Sequence, residues 1–294
     1  MSFLITQALI SGLTNGLVYA LIGMGMAAIF KGSRIINAMQ GEFCIVGGIV
    51  AVMFTTRLGL PLWLGLIAGI LSGAVLGFLI EILFVRHMVR KNASEDSFLL
   101  LTIGLAMTLS AGILYFVGRD SFMLQAIGGD DVMMIGEGII RTHALWLIGI
   151  SLAITYGLRL FYRHSALGLS MMAASIDPDG ATTVGIDVAR MRAYTFALGG
   201  VLGAVGGILV SPLVPVSYQL GLALTLKGFA AAILGGLTNP LGAVVGGVTL
   251  GLIEALAIIS VSSGYKDVAA FSVLILIMVI MPQGMLGRKT RVGG

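Results

Sequence analysis

Apolar residues run through this chain in long blocks separated by short polar stretches, with no two-residue alternation inside the blocks. The blocks fall at roughly 8–30, 36–56, 62–85, 98–117, 144–162, 193–211, 222–236, 241–262 and 268–285. Most are long enough for an α-helix, rising about 1.5 Å per residue, to cross a hydrocarbon layer about 30 Å thick. A transmembrane barrel would instead alternate lipid-facing and lumen-facing residues. The pattern therefore predicts an all-α fold, a polytopic transmembrane bundle of eight or nine spans. The uncertain member is 222–236, short enough to be re-entrant or broken.

Composition strengthens this picture. Of 294 residues, 58% are hydrophobic and 10% charged, with a mean hydropathy of +1.07. Soluble domains carry about 25% charged residues, and one aqueous core could not hide this much apolar surface. The 43 glycines against 6 prolines suit close helix packing in lipid. Cys44 is the only cysteine, which rules out an intrachain disulfide and a thiol metal site. A secretory signal carries positive charge ahead of its apolar stretch. Here the first basic residue, Lys31, follows the run from Ala8 to Phe30, so that run is expected to be a retained first span.

Charge then orients the bundle. If every block crosses, alternate connections hold Lys31, Arg34, Arg86, Arg90, Lys91, Arg163, Arg190, Arg192, Arg288, Lys289 and Arg291, eleven of the seventeen basic residues. The opposite side holds four: Arg57, Arg119, Arg141 and Lys266. Arg159 lies near a span end, and Lys227 falls within a block. Cytoplasmic loops are enriched in Lys and Arg, so the expectation is an outer N-terminus and a cytoplasmic C-terminus. The net charge of +4 thus reports topology. Nucleic-acid binding finds no support, because no basic face is interleaved with exposed aromatics.

Small residues recur four apart at Gly65, Gly69, Gly73 and Gly77, and again at Gly199, Gly203 and Gly207. Gly242 with Gly246, and Gly247 with Gly251, mark a third helix. Such residues share one helix face and predict tight packing against neighbours.

Two connections are long. The outer one, 118–143, contains Asp120, Asp130, Asp131 and Glu137 against Arg119 and Arg141. The inner one, about 163–192, contains Asp177-Pro178-Asp179-Gly180-Ala181-Thr182-Thr183-Val184-Gly185. An aspartate N-cap followed by proline starts a helix, and Gly185 suits a left-handed stop. The spacing predicts a helix of about two turns facing the cytoplasm. A helix that short is marginal in water; it is either a connector lying on the membrane face or an element that docks into another protein.

With Gly168, Ala173-Ala174, Asp179, Ala181 and Gly185-Ile186, the inner loop resembles the coupling loop of ABC importer permeases. The wider chain resembles the branched-chain amino acid permease family, in order along its length. The likeness lies in Asn15-Gly16-Leu17 before Tyr19-Ala20-Leu21, in Ile36-Asn37 with Gly41-Glu42, in Thr102-Ile103-Gly104-Leu105, and in Phe196-Ala197-Leu198-Gly199-Gly200. Its most specific part is Lys227-Gly228-Phe229-Ala230-Ala231-Ala232-Ile233-Leu234-Gly235-Gly236, followed by Gly242-Ala243-Val244-Val245-Gly246-Gly247 and Glu254. Pro282-Gln283-Gly284-Met285-Leu286-Gly287 is similar to the family's usual ending. One departure is Gln40, where the family commonly has histidine before the Gly-Glu pair.

The resemblance implies one permease domain over 1–294, partnered by two ABC ATPase subunits, a second permease subunit (identical or sister) and an external solute-binding protein. Asp177, Pro178, Asp179, Ala181 and Gly185 would then couple to the ATPase.

Charges within a bilayer cost several kcal/mol, about 3 to above 10, so such residues face the interior, pair, or sit at an interface. Glu81 lies about one turn before Arg86, an expected interfacial pair. Asn37, Gln40, Gly41 and Glu42 form a polar, glycine-broken stretch suited either to a transport pathway or to polar packing. Lys227 and Glu254 are further pathway candidates that could pair across neighbouring helices.

No catalytic constellation stands beside these. His87, His143 and His164 lie in loops or at span ends, and neither a metalloprotease helix motif nor a phosphate loop occurs. Gly128-Gly129-Asp130-Asp131 lies in a polar loop without a second membrane aspartate. No cofactor or metal is expected, and ATP hydrolysis would belong to another chain. The reading is a permease subunit for branched-chain or related amino acids. The alternative is an ion-gradient-driven transporter of small polar solutes using Glu42, Lys227 or Glu254.

Overall fold

The computed structural model describes residues 2–129, 131–135, 137–260, 263–281 and 283–286. Asp130, Pro282, Gly287 and the basic residues Arg288, Lys289 and Arg291 lie outside the described residues.

The elements follow the apolar blocks. They are α1 (Ser2–Ser33), α2 (Gln40–Val52, extended by a π-helical turn Met53–Arg57), α3 (Leu62–Ile80, running through a π-helical turn Glu81–Val85 into α4, Arg86–Arg90) and α5 (Glu95–Phe116). A hairpin of β1 (Val132–Ile135) and β2 (Gly138–Arg141) precedes α6 (Thr142–His164), α7 (Ala166–Ile176) and α8 (Pro178–Thr183). The chain ends with α9 (Val188–Val210), α10 (Leu220–Gly235), α11 (Pro240–Ser260) and α12 (Lys266–Ile280).

Six described helices are long and apolar enough to cross a membrane: Phe3–Ser33, Leu62–Arg90, Glu95–Phe116, Thr142–His164, Val188–Val210 and Pro240–Ser260. The other expected spans correspond to α2, α10 and α12, with 13, 16 and 15 residues. At about 1.5 Å per residue α10 and α12 fall short of a full crossing as helix alone, whereas α2 reaches a crossing length only through its π-helical turn to Arg57.

Lipid tails are as apolar as leucine, so helices here associate by close packing and polar contacts. The long α1 is largely enclosed, with Leu21, Ile22 and Met24 fully buried. It runs antiparallel to α11: a methyl group added at Gly12 or Gly16 would strike α11 backbone at Gly251 or Gly247. The glycine row of α3 lies against α2 and α9. A methyl at Gly73 would meet the carbonyl oxygen of Gly200, and one at Gly200 that of Gly73. These backbones touch with no side chain between them.

Two features depart from a helices-and-loops picture. The outer connection contains the β1–β2 hairpin, registered Val132 to Arg141 and Ile135 to Gly138, which ties to α1 where the Ile139 N–H donates to Gln7 Oε1 at 2.9 Å. The inner connection carries a second helix, α7, ahead of the expected one. Ser165 caps α7, its Oγ accepting from the Gly168 N–H at 2.9 Å.

Candidate functional site

The polar stretch before Glu42 is set deep in the bundle by the way α1 ends. Arg34 adopts a left-handed conformation (φ 59°), turning the chain as a glycine after a helix C-terminus does. The following residues run back along α1, and Gln40 starts α2 against Gly25, eight residues and thus about 12 Å before the end of α1. The stretch joins two helices, and from Gln40 onward α2 is unbroken.

The side-chain amides of this turn and several of its backbone N–H groups find partners. Asn37 Nδ2 donates to Gln40 Oε1 at 3.2 Å, and Gln40 Nε2 donates to the Gly199 carbonyl at 2.8 Å. The Ala38 N–H donates to Thr102 Oγ1 at 3.1 Å, and the Gly41 N–H to Thr225 Oγ1 at 2.9 Å. Gly41 lets α2 approach α10, since a methyl there would strike the Gly221 carbonyl. Residues 37–41 thus tie α1, α2, α5, α9 and α10 together, with Ala38 making the link to α5.

Glu42 stands at a cavity of about 620 Å³ between α1, α2, α5 and α10. Its carboxylate packs against Gly221, where a side chain would collide with it. Ser110 Oγ lies 3.1 Å from Glu42 Oε1 and 3.1 Å from the Tyr218 carbonyl oxygen, so its single proton serves one acceptor at a time. Ser110, Tyr218, Gln219 and Thr225 give this part of the wall its polarity, while Ile103, Met107, Leu222 and Phe229 are among the apolar walls. Apolar walls with a few placed polar groups are typical of small-molecule sites, as is a volume within about 300–1,000 Å³.

Lys227 and Glu254 sit elsewhere. Lys227 Nζ lies 2.8 Å from Glu254 Oε1 and 2.9 Å from Asp267 Oδ1, and donates to the Tyr19 hydroxyl at 3.2 Å. Tyr19 in turn donates to Glu254 Oε2 at 2.8 Å. This cluster joins α1, α10, α11 and α12, and neither Lys227 nor Glu254 lines the cavity.

Glu81 is fully buried and holds two arginines. Arg86 Nη2 donates to Oε2 at 3.1 Å, and Arg192 Nε donates to Oε1 at 2.9 Å. The second partner reaches it from the first turns of α9, next to α8.

In α8, Asp177 Oδ1 accepts from the Gly180 N–H at 2.9 Å and Pro178 occupies the first helical position. The helix is six residues long, shorter than the two turns expected, and Gly185 follows at φ +84°. Ala181 points inward, packed with Met171, Ala174 and Met191. Asp177, Pro178, Asp179 and Gly185 face outward, flanked by Ile176 and Val184 at 65% and 74% exposure. A pocket of about 250 Å³ lies behind α8, reaching Pro178, Ser175, Val188, Arg34 and Arg192.

No local pattern in the sequence marks Ser110, Tyr218, Thr225, Arg192, Tyr19 or Asp267 as members of these clusters. Ser110 and Thr225 are isolated hydroxyls in apolar helices, a signal present in the chain but without a direction. Among the described residues, no group of three or more His, Cys, Asp or Glu side chains could hold a metal ion.

Residues 8–281 match the family model described as the permease component of branched-chain amino acid transport systems. The chain is 31% identical to the high-affinity branched-chain amino acid transport system permease protein LivH of Escherichia coli K12, covering 96% of this chain and 95% of that protein. It is likewise 31% identical to BraD, the corresponding permease protein of Pseudomonas aeruginosa, with the same coverage. The LivH permease of Salmonella typhimurium is 30% identical, over 96% of this chain and 95% of its own.

Proposed function

Since the chain belongs to the permease component family of branched-chain amino acid transport systems, we propose that it is the membrane subunit of a bacterial ABC importer for branched-chain or related amino acids. In this reading all 294 residues form one permease unit in the inner membrane, with eight or nine crossings. Helices α1, α3, α5, α6, α9 and α11 make six of these crossings outright, and the shorter α2, α10 and α12, with the residues flanking them, supply the rest. The N-terminus is outside and the C-terminus cytoplasmic, as the distribution of basic residues favours. Two such subunits, identical or sister, work with two ATPase chains and an external solute-binding protein.

The observation that carries the reading is α8. A six-residue capped helix has little stability of its own, and Ala181 is its only buried residue. It displays Asp177, Pro178, Asp179 and Gly185 outward between exposed Ile176 and Val184, as suits insertion into a groove of the ATPase. Behind it, α9 carries Arg192 to Glu81, offering a rigid link from α8 to α3. ATP-driven closure of the ATPases moves α8, and the bundle reopens the cavity beside Glu42 from one side to the other. Lys227 and Glu254 hold helices together, and Asn37, Gln40 and Gly41 fix the wall behind the passage.

Purification of the complex from its native host in mild detergent tests this reading. ATPase chains are expected to accompany the permease, and their hydrolysis should rise when solute-binding protein loaded with L-leucine is added. A permease that purifies without an ATPase, or an ATPase indifferent to loaded binding protein, would contradict it.

A further inference from the structure

The cavity between α1, α2, α5 and α10 holds one feature that polar packing leaves unexplained. Glu42 is 1% exposed, and its Oε2 has no hydrogen-bond partner among the described residues. No described cation pairs with it. The cation of α10, Lys227, is committed to Glu254, Asp267 and Tyr19. Thr225, Leu226 and Phe229, within two residues of it, line the cavity, while Lys227 itself does not. Ser110, the group that touches the carboxylate, shares its proton with the Tyr218 carbonyl. A buried carboxylate with half its acceptors idle is costly, and such sites are kept where a charge is needed. The rest of the wall is hydrocarbon from Ile103, Met107, Leu222 and Phe229.

We infer that Glu42 is the counter-charge for the primary ammonium group of a passing amino acid, whose apolar side chain lies on the Met107–Leu222–Phe229 wall. This rests on the importer reading above and names the contact that selects the solute within it. A single carboxylate oxygen offers one charge-assisted hydrogen bond, strong enough to admit an ammonium group into an apolar cavity and weak enough to release it. Solutes of the same shape without the ammonium group, such as 2-oxo acids, would instead bring a second negative charge toward Glu42 with nothing to balance it.

The test is L-leucine moved per ATP hydrolysed, measured in proteoliposomes holding the full complex, with loaded binding protein inside or outside as orientation requires. Glu42→Gln, which keeps the shape and removes the charge, is expected to lower this ratio at least about tenfold, the scale of one charge-assisted contact. Glu42→Asp, which keeps the charge, should retain clearly more of it. Equal ratios for wild type and Glu42→Gln would overturn the inference. Equal impairment of both variants, whether in assembly or in transport, would also overturn it, since a structural role does not distinguish charge from length. A wild-type complex that couples ATP hydrolysis to no leucine movement would instead count against the importer reading itself.

Discussion

Glu81 shows how much one buried charge can organise. Its two oxygens are divided between Arg86, whose side chain is 26% exposed, and Arg192, at 11%. Removing Arg192 leaves Glu81 paired with Arg86 but strips the buried Oε1 of its charged donor, a loss of about 1.5–3 kcal/mol. Arg192→Met is therefore expected to destabilise the purified permease on the order of 2 kcal/mol, read as a lower thermal midpoint. Adding Glu81→Leu to it should recover part of that loss, because Arg86 can reach water. A double variant as unstable as the sum of the two single ones would show that the residues do not act as a unit. Arg86 was legible from the sequence because it lies five residues beyond Glu81, on the same helix. Arg192 was not, because no local pattern links positions 111 apart. The same asymmetry holds for Lys227 and Glu254. Both stood out as lone charges in apolar blocks, whereas Tyr19 and Asp267, at an apolar helix and a polar helix start, gave no sign that they complete the cluster.

Local signals fared better at the scale of elements. Asp177, Pro178 and Gly185 define α8 by rules acting within a few residues, and the cap bond and the left-handed Gly185 follow them. Ser165 ahead of Ala166 is an equally local signal for α7, overshadowed by the stronger Asp-Pro start of α8. The hairpin was signalled only by two short apolar runs either side of Gly136-Glu137, easily lost in a polar connection. The deep start of α2 depends on the left-handed Arg34, which no propensity favours. For α8 the expected result is uncoupling. Gly185→Val forces a β-branched residue into φ +84°, costing about 1–2 kcal/mol locally, and Asp179→Ala alters the outward face without touching the packed Ala181. Both variants should keep ATPase chains hydrolysing while uptake falls several-fold. Normal uptake per ATP in both would remove α8 from the coupling route.

Taken whole, the bundle is built around α1, which α9, α10 and α11 enclose, while α5 leaves Leu100, Met107, Tyr115 and Phe116 largely exposed. The Glu42 cavity lies between that buried core and the exposed α5, apart from the glycine-packed contacts of α3 with α9 and α1 with α11. The Lys227 cluster, on another side of α10, ties down α11 and α12 and leaves the Glu42 wall free of positive charge. In the importer reading proposed above, the energy source lies outside the chain. The measurement that tests it most directly is L-leucine uptake into proteoliposomes with and without the ATPase chains, binding protein and ATP, and with an imposed proton or sodium gradient. Uptake that requires ATP and the partner chains and ignores the gradient is the predicted result. Uptake by this chain alone, driven by the gradient without ATP, would contradict the account and make Glu42 part of an ion-coupled carrier.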